Sequence, residues 1–189
     1  MLTSLASLWL PILVSGIALF FASFAAWMIL PHHKKDWIGL PNEDAVMQQL
    51  RNDNIAGGQY CFPYAATPEA MKSDTYKAKM QAGPRGTLTL WAAPPNMVIN
   101  MLCTVIFFLI ANAVIAYLAG MVLPPISDPG DRWKIFRFVG TAGVLTYGTA
   151  NILNGIWFGR RMVSDIVDGI AYGLITGAIF AMLWPGVAV

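Results

Sequence analysis

From residue 169 to residue 189 the chain carries no charged side chain, and small residues recur along this run at every fourth position: Gly169, Gly173, Gly177 and Ala181. As a helix rising about 1.5 Å per residue, these 21 residues reach roughly 30 Å, the thickness of a bilayer's hydrocarbon core. The run therefore reads as a membrane-crossing helix with one face open to close approach by another backbone. Small residues at this spacing more often pack helices within one bundle than between subunits, so intramolecular packing is the first expectation and self-association the second.

Three more runs fit the same description. Residues 8–30 are apolar, with Trp9 and Trp27 placed as interfacial anchors and Ala18, Ala22 and Ala26 as a second small-residue stripe. This run resembles a secretory signal, but no Lys or Arg precedes it and it exceeds the usual apolar core of one, so it is read as the first span. The second span is expected over residues 96–123, between Pro94-Pro95 and Pro124-Pro125, and the third over residues 138–159. The fold class is thus an all-α integral membrane protein with four transmembrane helices. Only 12% of residues are charged and the mean hydropathy is +0.57, whereas soluble domains carry about 25% charged residues. A net charge of +2 with no basic, aromatic reading surface excludes a nucleic-acid partner.

Residues 31–95 are polar and form an insertion between the first two spans. Pro41-Asn42-Glu43-Asp44 reads as a helix start, with its acids in the first turn, and Gly57-Gly58 as its stop. Thr67 caps a second helix that begins with Pro68 and runs to about residue 82. Residues 59–62 and 86–91 alternate as short strands. Together they predict a small α+β cap, giving three regions: 1–30, 31–95 and 96–189. Nine Lys and Arg residues fall on the side of this cap (Lys34, Lys35, Arg51, Lys72, Lys77, Lys79, Arg85, Arg160 and Arg161) against three on the other (Arg132, Lys134 and Arg137). The cap is therefore placed in the cytoplasm and both termini outside, in a bacterial-type inner membrane.

Chemistry is sought where polar residues enter the spans. Counted from the cytoplasmic helix ends, Asn100, Asn154 and Asp168 lie at one depth, and Thr104, Asn151 and Tyr172 one turn deeper. Asp168 is the most costly member, because a carboxylate at a span's centre costs about 2.5 to 3.5 kcal/mol. Its structural role would be a first-turn acid stabilised by the helix dipole and by Arg160 or Arg161. Its functional role would be an ion or proton site with the other polar residues as neutral ligands. His32 and His33, the only histidines, read as interfacial anchors; being adjacent they cannot ligate one haem from both sides, although one could serve as a lone axial ligand to a pigment or haem.

Cys61 and Cys103 lie in segments of different character and do not suggest a disulfide. Tyr60, Phe62, Tyr64 and Trp91 offer an aromatic partner-contact surface on the cap. No Walker A, GxGxxG, HExxH, GxSxG or CxxCH pattern occurs, so no catalytic residue, metal or cofactor is expected. The first functional expectation is a non-catalytic membrane subunit packing against a larger assembly through its small-residue faces and aromatic cap. The alternative is a small ion or proton carrier or channel using the Asp168 layer. A weaker alternative is a pigment- or quinone-associated subunit.

Overall fold

The computed structural model describes residues 3–186; residues 1 and 2 of the expected 1–30 region, and residues 187–189, which end the last expected run, lie outside the described residues. In chain order the helices are α1 (Trp9–Phe24), α2 (Glu43–Asn52), α3 (Pro68–Lys72), α4 (Asp74–Ala82), α5 (Met97–Gly120), α6 (Asp131–Gly148), α7 (Ile152–Phe158) and α8 (Val163–Leu183). The strands are β1 (Gly58–Phe62) and β2 (Gly86–Leu90). A 3-10 turn, Leu5–Leu8, leads into α1, a π turn, Ala25–Ile29, widens its end, and a second 3-10 turn, His32–Lys35, follows Pro31.

Two compact units divide the chain. One comprises Ile38–Asn96 and Ile156–Arg160; the other comprises the chain up to Trp37, Met97–Gly155 and the chain from Arg161 onward. In the first, β1 and β2 pair antiparallel, with Gly58 opposite Leu90 and Phe62 opposite Gly86. The Thr67 hydroxyl accepts from the Ala70 amide at 3.1 Å, capping α3 where the sequence places the cap. The single expected helix is split, because Ser73 turns to extended backbone (ψ 147°) and its hydroxyl accepts from the Tyr76 amide at 3.2 Å to start α4.

In the second unit, three helical stretches are long and apolar enough to cross a membrane: Leu5–Ile29, Met97–Gly120 and Val163–Leu183. The run expected as a third span, 138–159, is not one helix. Its first part belongs to α6, which starts earlier, with Asp131, Arg132, Lys134 and Arg137 in its first two turns, and stops at Gly148, and its later part forms α7. The stop has a local cause. The Thr149 hydroxyl donates to the Leu145 carbonyl at 2.6 Å, the Ile152 amide closes a tight turn on the Thr149 carbonyl at 3.1 Å, and Asn151 turns its side chain to Asp165. Competition of this kind from Thr and Asn side chains is what makes them poor continuers of a helix.

α6 and α8 are the most closely packed pair, and the approach depends on missing side chains. A Cβ on Gly143 would lie 2.8 Å from the Gly173 Cα, and one on Gly177 would lie 2.9 Å from the Gly140 Cα. Gly169 meets Gly148 and the Tyr147 carbonyl carbon in the same way. The apolar core is continuous with this seam, with Leu8, Ile115, Ile135, Val139 and Phe180 at 2% exposure or less.

One end of this unit is closed by polar contacts to helix termini. Arg132 donates to the carbonyls of Ala181 at 2.7 Å and Met182 at 3.0 Å, satisfying acceptors that the last turn of α8 leaves free. Trp184 Nε1 donates to the Pro124 carbonyl at 3.0 Å, and the Thr3 hydroxyl donates to the Leu123 carbonyl at 2.9 Å. In the adjoining turn the Asp131 carboxylate accepts from the amides of Ser127 and Asp128, both at 3.1 Å.

Candidate functional site

The opposite end of the same unit gathers the groups of chemical interest. Pro31 ends the first helical stretch, and the following 3-10 turn presents His32 and His33 side by side, their ring centroids 4.4 Å apart. Across from them α8 brings Asp168, its sixth residue and 7% exposed. His32 Nε2 lies 2.8 Å from Asp168 Oδ1 and His33 Nε2 lies 3.0 Å from Asp168 Oδ2. One carboxylate thus takes both imidazoles, one on each oxygen. From one turn along α8, the Tyr172 hydroxyl donates to Asp168 Oδ2 at 3.2 Å.

A second carboxylate completes the cluster. His33 Nδ1 lies 2.8 Å from Asp36 Oδ2, so both nitrogens of this ring face carboxylate oxygens. The ring is itself 5% exposed and stacks on Trp27 at 3.9 Å with an 11° tilt, which fixes its plane. Ser164 ties the turn to α8 by donating to the His32 carbonyl at 3.2 Å and to Asp36 Oδ1 at 3.3 Å. Arg161 adds a bond to the Lys35 carbonyl.

The electrostatics follow. Burial alone would lower the His33 imidazole, but its hydrogen bonds to Asp168 and Asp36, with their charges, hold it above the ordinary histidine value. Burial would raise the Asp36 carboxyl, but hydrogen bonds with His33 and Ser164 and the charges of His33 and Arg161 carry it below the ordinary value. Hydrogens must also be counted. Three close contacts between ring nitrogen and carboxylate oxygen need three hydrogens, and two neutral imidazoles carry two. With both rings neutral, one of the three contacts is left without a hydrogen.

The sequence-derived residues distribute unevenly around this centre. Of the six polar-layer residues, Asp168 and Tyr172 are joined directly. Asn151 is not joined to it, its amide donating instead to Asp165 at 3.2 Å. Thr104 bonds back to the Asn100 carbonyl at 2.8 Å on α5, and the Asn100 and Asn154 side chains are exposed. Depth counting places the last of these wrongly because it assumes one helix through residues 149–151, where the chain turns. The two histidines, read as interfacial anchors, are instead partners of Asp168, and Trp27 packs on His33. Asp165, not Asp168, is the acid of the first turn of α8. Gly169, Gly173, Gly177 and Ala181 lie buried on α8, the three glycines against α6. Tyr60, Phe62, Tyr64 and Trp91 are 38%, 42%, 73% and 75% exposed. Cys61 and Cys103 are free and exposed.

Further polar oxygens lie deeper among the helices. Ser15 Oγ on α1, Asn112 Oδ1 on α5, Tyr147 Oη on α6 and Thr176 Oγ1 on α8 are buried and have no hydrogen-bond partner among the described residues. The rings of Tyr147 and Tyr172 are 6.2 Å apart, which links this set to the ring that touches Asp168. Of the groups assembled here, His32, His33 and Asp168 offer one ligand atom each within 4.8 Å of one another, the arrangement able to hold a metal ion. Comparison with protein-family models, curated proteins and solved structures finds no match for this chain.

Proposed function

We propose that the chain is an integral membrane protein that binds a cation at Asp168 and passes it along polar groups between its helices. The observation that carries this reading is a 7%-exposed carboxylate, within a helix long and apolar enough to cross a membrane, held by two imidazoles. Such a group is costly in a bilayer and is retained where it meets an ion or proton path. The buried oxygens of Tyr147, Asn112, Thr176 and Ser15 extend the polar character inward from it. In this reading α1, α5 and α8 cross the bilayer, α6 packs on α8 as a fourth and more polar member, and the end bearing His32 and His33 faces the cytoplasm with Lys34 and Lys35 beside it. Purified protein in liposomes should pass cations, and Asp168→Asn should abolish the flux while the protein still inserts. Equal flux in both proteins would remove the reading.

A second reading, a packing subunit of a larger membrane assembly, is favoured by the exposed aromatic side chains of Tyr64 and Trp91. Co-purification in mild detergent tests it. A partner lost on Tyr64→Ala supports it, and a chain that migrates alone opposes it.

A further inference from the structure

We infer that His32, His33 and Asp168 form a binding site for a divalent transition-metal ion of the zinc class, with Asp36 and Tyr172 as its supporting groups. The inference rests on the cation-binding reading above and names the ion. Ligands about 2.0 to 2.1 Å from a tetrahedral zinc stand about 3.3 Å from one another. The ring nitrogens lie 2.8 and 3.0 Å from the Asp168 oxygens, and all three ligand atoms fall within 4.8 Å, so small rotations of the side chains admit an ion between them.

The surroundings match what a metal-bound imidazole requires. A ligating histidine donates its other N–H to a carboxylate or carbonyl, which fixes the tautomer that leaves the metal-facing nitrogen free. Asp36 Oδ2, 2.8 Å from His33 Nδ1, is that carboxylate, and Trp27 holds the ring plane. Tyr172 donates to Asp168 Oδ2 at 3.2 Å, leaving Oδ1 to face the ion. With a divalent ion in place, both histidines are neutral and each close contact is satisfied.

Two imidazoles and one carboxylate select against magnesium and calcium, which take oxygen ligands, and for zinc, cobalt, nickel, copper or iron. The His32 side chain is 30% exposed, so the site is open on one side for the ion to arrive and for a fourth ligand.

The test uses the full chain in detergent, stripped of metal and titrated with Zn²⁺ by equilibrium dialysis and with Co²⁺ by visible absorption, with Mg²⁺ as control. The expected result is one Zn²⁺ per chain, a Co²⁺ spectrum with nitrogen-ligand character, and no binding of Mg²⁺. His33→Ala and Asp168→Asn should abolish the stoichiometric site. Asp36→Asn keeps every ligand and should weaken Zn²⁺ about 10- to 100-fold, which serves even where the ligand variants fail to fold. No stoichiometric Zn²⁺, or Zn²⁺ binding unchanged by Asp36→Asn and His33→Ala, overturns the site. Zinc binding without liposome flux would leave the site standing and remove the transport reading. Flux without zinc binding would do the reverse.

Discussion

The two ends of the α1, α5, α6 and α8 unit solve the same problem with different chemistry. At one end Arg132, Trp184 and Thr3 each donate to backbone carbonyls that a helix end or loop leaves free. Each of these donors finds a carbonyl there. At the other end, ring nitrogens and carboxylate oxygens face one another, with fewer hydrogens than contacts when both rings are neutral. The first end is a closure, and the second, on the reading proposed above, is a closure that holds room for one more cation. Stability alone would be served by the first arrangement at both ends.

The comparison can be broken most sharply at Asp168. Asp168→Ala should destabilise the protein by about 3 to 5 kcal/mol, because it leaves buried groups unpaired; a thermal melt without added metal reads it. Next is the seam between the ends. Gly173→Leu drives side-chain atoms into the Gly143 and Val144 backbone and should cost about 1 to 3 kcal/mol or more while oligomer size by light scattering stays unchanged. A change in oligomer size would mean that this face packs between copies instead. Arg132→Gln should cost about 1 kcal/mol, and the loss should be the same with and without Zn²⁺. If Arg132→Gln altered metal binding, the two ends would not be independent.

A smaller effect follows pH at the closed end. The Lys134 ammonium, with the amides of Ser127 and Asp128, holds the Asp131 carboxyl down at about 2, against an ordinary 3.8. A depressed carboxyl stabilises fully above its unfolded value and loses that contribution as pH falls through the folded one. The Ser127 amide should therefore stay protected from exchange down to about pH 4 and lose protection toward pH 2, a window that Asp131→Asn removes. Least affected is Tyr64→Ala, whose exposed ring should leave the melting temperature within the equivalent of about 0.5 kcal/mol.

Much of the fold is legible in the residues because its signals are local. Proline at 31 and 94–95, the Thr67-Pro68 start and the alternation at 86–90 act over a few positions, and the elements they bound appear close to where those signals lie. The break at 149–151 is harder to read, since Thr149 and Asn151 stop the helix by side-chain bonds that compete with an apolar run. The site is harder still. Asp168 announces its need for a partner by standing at the head of an uncharged run, but the nearest cations in sequence, Arg160 and Arg161, are not those it takes. Its partners lie 135 and 136 residues away, and only the antiparallel return of α8 beside α1 brings them together. The usable clue was the spacing of His33 and Asp36, a base and an acid three apart just after a helix-ending proline.

The π turn at Ala25–Ile29 has a consequence for that meeting. The Leu30 amide reaches back five residues to the Ala25 carbonyl, at 2.9 Å, where a regular helix would reach four. One residue is thereby absorbed without advancing the winding, so Pro31 and the two imidazoles leave the helix about 100° away in azimuth from where even winding would send them. Winding the same residues evenly, at unchanged length, would rephase the exit, aiming both rings away from α8 with their chemistry unaltered and their address lost.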